Sequence, residues 1–241
     1  MFPPLTSLLA ALDGPTHSLA SATLIWGATV VSASRLCVWA DAQSVTHLAR
    51  QTPGSTVQPL PPPDDALMRL LPRRYDMAHL PDAALGLLAV GYGAAVAMFS
   101  ASLETGSAHL RLLLLVDAAL KTMRVTAIIS TLTGLACPNA AQTQNSWNLS
   151  SGTKHDLMFS GHTQFGTLLM IFTIHLAQQQ QQQQQQQYGA LCSAIVSAAA
   201  ASATVLNGLL QIVVGDHYTV DVLMAWFVTI PWAVLCLQNY G

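Results

Sequence analysis

The chain has 241 residues, of which 52% are hydrophobic and only 8% charged, with 9 Lys and Arg against 11 Asp and Glu and a formal net charge of −2. Roughly a quarter of an ordinary soluble domain is charged, so these residues cannot cover a globule in water, and without a basic field nucleic acid is excluded as a partner. The apolar content also excludes disorder along the whole chain, and the expected fold is all-α, one polytopic membrane domain over residues 1–241 with about six transmembrane helices.

In chain order, the N-terminal segment MFPPLTSLLAALDG has no positive region, and no cleaved signal peptide is expected there. The first and weakest span covers 17–40, rich in small residues and interrupted by Arg35. A loop over 41–81 follows, with a stiff Pro-rich run from Leu60 to Asp65. The second span runs from Asp82 to Leu103, a short turn covers Glu104 to His109, and the third runs from Leu110 to Cys137, with Asp117, Lys121 and Arg124 inside it. The fourth covers Leu157 to Ala177, the fifth Gly189 to Val214 and the sixth Tyr218 to Leu237. Between the fourth and fifth lies a glutamine tract, 178–187, expected as a flexible loop and a tolerated expansion, because it has no apolar area to bury. Cys37, Cys137, Cys192 and Cys236 stand singly, with no metal-ligand spacing and no disulfide framework.

Two short stretches hold polar residues that a span normally excludes. One is His155-Asp156-Leu157-Met158-Phe159-Ser160-Gly161-His162-Thr163, and the other is Gly215-Asp216-His217-Tyr218-Thr219-Val220-Asp221. Ionisable groups at membrane depth are costly and mark function by default. Six crossings put both stretches at the same membrane face, opposite the termini. On a helix His217 and Asp221 share a face, so the carboxylate can orient the imidazole and leave its second nitrogen for a substrate. Each piece has a plainer reading: His-xxx-Asp as a helix-stabilising pair, Ser160 as a helix cap, and His109 and His175 as interfacial or satisfied polar groups. Their joint occurrence on one face favours catalysis.

Asp156-x-x-x-Ser160-Gly161-His162-Thr163 followed by His217-Tyr218-Thr219-Val220-Asp221-Val222 resembles the paired signature of the sphingomyelin synthase family, the lipid phosphotransferase branch of the phosphatidic acid phosphatase superfamily. Phe159 to His162 and His217 to Asp221 are similar also to strings in plant phosphatidylcholine:diacylglycerol cholinephosphotransferases. Pro61 to Asp64, or Leu80-Pro81-Asp82, is similar to a Pro-Leu-Pro-Asp motif, and Arg124 with Ser130-Thr131-Leu132 to an Arg…Thr-Thr-Leu-Pro motif. The chain departs from the family at Lys154-His155, where a Cys-Gly pair is usual, and lacks the proline closing the third-span motif.

The resemblance implies six spans and transfer of a phospho-alcohol head group from a glycerophospholipid such as phosphatidylcholine to a lipid hydroxyl such as ceramide or diacylglycerol. It implies His217 as nucleophile, Asp221 as its orienting carboxylate and His162 as acid and then base, without metal or cofactor. Asp156, Ser160, Gly161, Thr163 and Arg124 would bind substrate. Phosphatases of lipid monoesters share a Lys-x6-Arg-Pro clamp, and this chain has no Arg-Pro pair. A phosphodiester carries one negative charge, for which a single cation, Arg124 or Lys154, suffices. The alternatives are a lipid phosphate phosphatase on the same site and a catalytically silent membrane scaffold. The resemblance also implies a Golgi, endoplasmic reticulum or plasma membrane location with a lumenal or exoplasmic site. The cations Arg50, Arg69, Arg73, Arg74 and Lys154 on the site's side would place that side in the cytosol by the positive-inside tendency, and the resemblance is preferred here.

Overall fold

The computed structural model describes residues 18–51, 65–131, 159–184 and 187–240, and among these the chain is helical with no strand. The elements are α1 (Leu19–Gln51), α2 (Ala66–Leu70), a 3-10 turn (Tyr75–Met77), α3 (Leu80–Phe99), α4 (Leu103–Thr131), α5 (Gly161–Gln184), α6 (Gln187–Val213) and α7 (Thr219–Tyr240). Helix starts follow from local sequence. Pro81 sits in the first turn of α3, where a missing N–H costs nothing, and Asp82 meets the positive end of the helix dipole. The Ser102 hydroxyl accepts from the Thr105 N–H at 3.1 Å and starts α4. Glu104 to His109 therefore form the first turns of α4 and not the separate turn expected from the sequence.

Helix α5 is the axis of the bundle. It packs against α3, α4, α6 and α7, while α1 lies along α4. The main core joins Leu88 and Tyr92 of α3, Leu113, Val116 and Leu120 of α4, Leu168, Leu169, Phe172 and Leu176 of α5, and Ala233 and Cys236 of α7. Tyr92 meets Phe172 edge to face, with centroids 6.4 Å apart. The outer helices turn large apolar side chains outward: Leu24 and Val31 on α1, Leu87 and Val90 on α3, Leu191 and Ile195 on α6, and Phe227 and Ile230 on α7. Among the described residues α5 contributes none of these exposed groups.

This arrangement decides which helices read as spans. Four are long and apolar enough to cross a membrane: Leu19–Ala40, Leu80–Phe99, Ala190–Val213 and Thr219–Asn239. These are the expected first, second, fifth and sixth spans. Among the described residues there are six long helices, and α4 and α5, the expected third and fourth spans, fall outside that set. Helix α4 carries Glu104, Arg111, Asp117, Lys121 and Arg124, and α5 ends in glutamines, which lowers the mean hydropathy of both.

Two boundaries also differ. Helix α1 continues past Ala40 to Gln51, into the segment expected as a loop. The glutamine tract extends α5 to Gln184, and Gln187 opens α6. Glutamine is a good helix former with little to lose in side-chain freedom, so a helix already nucleated by its packed N-terminal part continues through it.

The fully buried Asp117 is a polar knot among α1, α4 and α5. Its Oδ2 accepts from Trp26 Nε1 and from Lys121 Nζ, each at 2.7 Å, and its Oδ1 accepts from Gln164 Nε2 at 3.1 Å. Lys121 also lies 5.2 Å from the centre of the Phe165 ring. Asp117→Ala leaves Lys121 without its counter-charge and is expected to destabilise the detergent-solubilised protein by about 3 kcal/mol, read by thermal unfolding. The pair Asp117→Ala with Lys121→Met is expected to recover most of that loss, because no uncompensated charge then remains.

Candidate active site

Helices α3, α5 and α7 begin at one place. The loop before α5 is held from both sides: the Ser160 N–H donates to the Asp221 carbonyl at 3.2 Å, and the Phe159 carbonyl accepts from Arg124 Nε at 2.8 Å. Phe159 adopts φ 34°, in the left-handed region that a bulky residue rarely occupies. Burial of its ring and the guanidinium on its carbonyl hold it there.

Ser160 caps α5, its hydroxyl accepting from the Thr163 N–H at 3.2 Å while its carbonyl accepts from the Gln164 N–H at 2.9 Å. The plainer reading of Ser160 therefore describes its hydroxyl, which is committed to the cap and fully buried. The N–H groups of Gly161 and His162, in the first helical turn, point along the helix start without intrahelical partners. A Cβ at Gly161 would lie 3.5 Å from Arg124 Nη1, so the guanidinium stands directly over the start of α5. A helix N-terminus with a guanidinium beside it is an anion site.

His162 Nε2 is 2.6 Å from Asp82 Oδ1 at the start of α3, with both side chains accessible. This partner was not assigned to the site from sequence. The signal was Leu80-Pro81-Asp82, which places a carboxylate in the first turn of an apolar helix.

The turn between α6 and α7 is a Schellman closure. Gly215, at φ 76°, donates to the Ile212 carbonyl at 3.1 Å, and Asp216 donates to the Gln211 carbonyl at 3.0 Å. The His217 N–H reaches the same Gln211 carbonyl at 3.3 Å. His217 and Asp221 then share a face as expected, with Nδ1 and Oδ2 3.6 Å apart, an ion-pair separation too long for a hydrogen bond. The same Asp221 oxygen accepts from the Tyr218 N–H at 3.0 Å, so the carboxylate both caps α7 and stands beside the histidine.

Sequence reading also missed Asp65. Its Oδ2 accepts from the Thr219 N–H at 2.6 Å, and its Oδ1 accepts from the Thr219 hydroxyl at 2.7 Å and from the Leu67 and Met68 N–H groups at 3.1 Å. One carboxylate thus starts both α2 and α7. Met68 of α2 packs with Ile212, Tyr218 and Val222 beneath this contact.

The structure therefore brings together His162, His217, Asp221, Arg124, Ser160, Gly161 and Thr163. Lys154, His155, Asp156 and Cys137 lie outside the described residues. Among the described residues no group of three or more His, Cys, Asp or Glu is placed to hold a metal ion. His109 and His175 pack ring against ring, centroids 5.9 Å apart, about 20 Å along α5 from His162, and take no part here.

A helical bundle with outward apolar faces, and a helix start beneath a guanidinium with two histidines that each stand near a carboxylate, are features of a membrane-type protein with a polar site at one end of the bundle. The profile of the PAP2 superfamily matches residues 110–241, over half of the chain, and the chain belongs to that superfamily. No curated protein and no solved structure matches it.

Desolvation pushes the Asp65 carboxyl up, but the hydrogen bonds from Thr219, Met68 and Leu67 outweigh it and leave it below the usual value of 3.8. A carboxyl more acidic in the folded than in the unfolded state adds stability above the unfolded value, and that stability is lost as pH falls through the folded one. Asp65→Ala is expected to cost about 1–2 kcal/mol, the range for losing a helix cap. Asp65→Asn is expected to unfold below the wild type at pH 6, with the gap closing toward pH 3. Thermal unfolding across that range checks both.

Proposed function

We propose that the protein is a lipid phosphotransferase that moves a phospho-alcohol head group from a glycerophospholipid to a lipid hydroxyl through a phosphohistidine. The observation that carries this reading is the junction of two helix starts, α5 and α7, each presenting a histidine with its own carboxylate, beneath the Arg124 guanidinium.

In the first half-reaction the lipid phosphate lies against Arg124 and the first N–H groups of α5. His217 Nε2 attacks phosphorus, an N–P bond forms and the bond from phosphorus to the diacylglycerol oxygen breaks. Asp221 beside Nδ1 orients the ring and offsets the positive charge it gains. His162 gives its proton to the departing oxygen. In the second half-reaction His162 takes the proton of the acceptor hydroxyl, whose oxygen attacks phosphorus and displaces His217. Asp82 fixes the His162 ring and supplies a counter-charge whenever it is cationic.

Charge supports a diester donor. Lys121 is committed to Asp117 and does not add a second cation, so among the described residues Arg124 is the cation placed over the start of α5, which fits a phosphodiester of one negative charge. Phosphatidylcholine as donor and ceramide or diacylglycerol as acceptor follow from the resemblance described above. We place the site on the lumenal or exoplasmic side on the same ground.

Incubation of purified protein with head-group-labelled phosphatidylcholine, with ceramide, with diacylglycerol or without acceptor, identifies the product. Labelled lipid is expected; label released only to water would make the protein a hydrolase, and no turnover of either kind would leave a scaffold. His217→Ala is expected to lose turnover and acid-labile label together while the protein still inserts and folds, and substantial residual activity would remove its role as nucleophile. His162→Ala is expected to lose about 10²–10⁴-fold with the natural donor, and far less with a nitrophenol leaving group that needs no proton. Asp82→Asn is expected to follow the same pattern more weakly, and an equal loss with both donors would detach Asp82 and His162 from leaving-group protonation.

Asp76 is exposed in the middle of the 3-10 turn, whose neighbour Arg74 donates its N–H to the Val213 carbonyl at the site's end of the bundle. A cysteine at Asp76, in a variant lacking the four native cysteines, is expected to react with an impermeant reagent only when the lumenal side is opened. Labelling from the cytosolic side of sealed vesicles would reverse the orientation.

A further inference from the structure

Helix α6 is one of the four helices apolar enough to span, yet Thr204, Asn207 and Gln211 recur on it at spacings of three and four, and all three are buried. Thr204 is satisfied, its hydroxyl donating to the Gly166 carbonyl at 3.3 Å. The other two are not. Asn207 Nδ2 donates weakly to the His162 carbonyl at 3.4 Å, while Asn207 Oδ1 and both polar atoms of Gln211 have no partner among the described residues. Thr163 Oγ1 shares this condition, while His217 Nδ1 makes no hydrogen bond and has the Asp221 carboxylate 3.6 Å away; all of these residues are at most 6% exposed.

Asn207 and Gln211 meet the backbone at the two histidines, Asn207 Nδ2 at the His162 carbonyl and the Gln211 main-chain carbonyl at the His217 N–H. Asn207 lies in the seam between α5 and α6, where a Cβ on Gly166 would come within 3.1 Å of its Nδ2. Gln211 stands one turn further along the same face, and its carbonyl holds the His217 N–H. Arg124 approaches the start of α5 from α4, so the cationic and the neutral polar groups flank His162 from different helices. Buried amides left unmatched in an apolar helix destabilise the protein, and such groups in a folded chain call for a reason. Neutral amides do not balance a phosphate's charge. Each offers a donor and an acceptor, which is the pattern that a pair of neighbouring hydroxyl or amide groups completes.

We propose that Asn207, Gln211 and Thr163 form the subsite for the acceptor's uncharged head, and that this head carries a second hydroxyl or amide next to the reacting hydroxyl. The proposal rests on the phosphotransferase reading of the same site. The acceptor hydroxyl then reaches the phosphorus on His217 and gives its proton to His162, while its neighbouring polar group is held by the amides of α6.

Thermal unfolding of the full detergent-solubilised chain, without any phospho-donor, tests this. The probes are 1-O-octylglycerol, with two adjacent hydroxyls, and 1-octanol, with one. Octylglycerol is expected to raise the wild-type midpoint by a few degrees more than octanol at equal concentration. Gln211→Met and Asn207→Leu, which remove the unmatched amides at similar volume, are each expected to unfold above the wild type without probe and to lose the distinction between probes. A merely structural role predicts the reverse, variants less stable than the wild type. Equal shifts by both probes on the wild type, or variants that unfold lower and still distinguish them, would overturn the subsite. Orthovanadate, a phosphate-like probe of the Arg124 and His217 side, separates the two claims. Variants still stabilised by vanadate have lost the acceptor side alone, in support of the proposal. A wild type that responds to octylglycerol but not to vanadate keeps the subsite and removes the phosphotransferase reading.

Discussion

Three long helices begin at the same point, and a helix start is a concentration of unsatisfied N–H groups and partial positive charge. Bringing the starts of α3, α5 and α7 together is unfavourable unless anions stand among them. The chain supplies carboxylates for this: Asp82 at α3, Asp221 at α7, and Asp65 shared by α2 and α7. None is placed at the start of α5 among the described residues, where Ser160 caps instead and Arg124 adds further positive charge. That imbalance is what makes the start of α5 receptive to an added anion. Architecture and chemistry therefore share their parts, since Asp82 and Asp221 each complete a helix end and attend a histidine.

The polar interior is ordered by a division of labour among cations. Lys121 is neutralised by Asp117 and serves cohesion, joining α1, α4 and α5 through Trp26 and Gln164. Arg124, less than a turn further along α4, is left to the loop at Phe159 and to Gly161. A membrane protein has little hydrophobic drive between helices, so such fixed polar contacts do much of the work of register.

Much of the site was legible because lipid makes polar residues conspicuous. His162, His217, Asp221 and Arg124 interrupt apolar stretches, and the helical spacing of His217 and Asp221 is a matter of counting. Asp82 was visible only as part of a short string with a rival at Asp64, since nothing in one dimension says that the start of α3 meets the start of α5. Asn207 and Gln211 were hidden differently: each is a single uncharged residue in a long apolar run, and only burial without partners separates it from a tolerated polar side chain. The fold was legible in outline: long helices stand where the six spans were expected, and four of them are apolar enough throughout to cross by composition. The charged residues inside α4 and the glutamine end of α5 keep these two helices out of that set. The glutamine tract was read by its lack of apolar surface, a sound argument for an isolated segment but not for one continuing a helix already packed.

The turn at Gly215 ties one end of the molecule to a fixed count. The Gln211 carbonyl receives both Asp216 and His217, and Asp221 reaches back to Tyr218, so the chain from the last turn of α6 to the first of α7 is a single closed hydrogen-bonded figure. A residue gained or lost there would rotate His217 away from α5. At the other end of α5 a run of identical side chains meets the start of α6, where one glutamine more or fewer changes no side-chain identity. The protein thus has a clock-like end and a tolerant end, and variation in chain length can accumulate at the second without altering the spacing of His217 and Asp221 at the first.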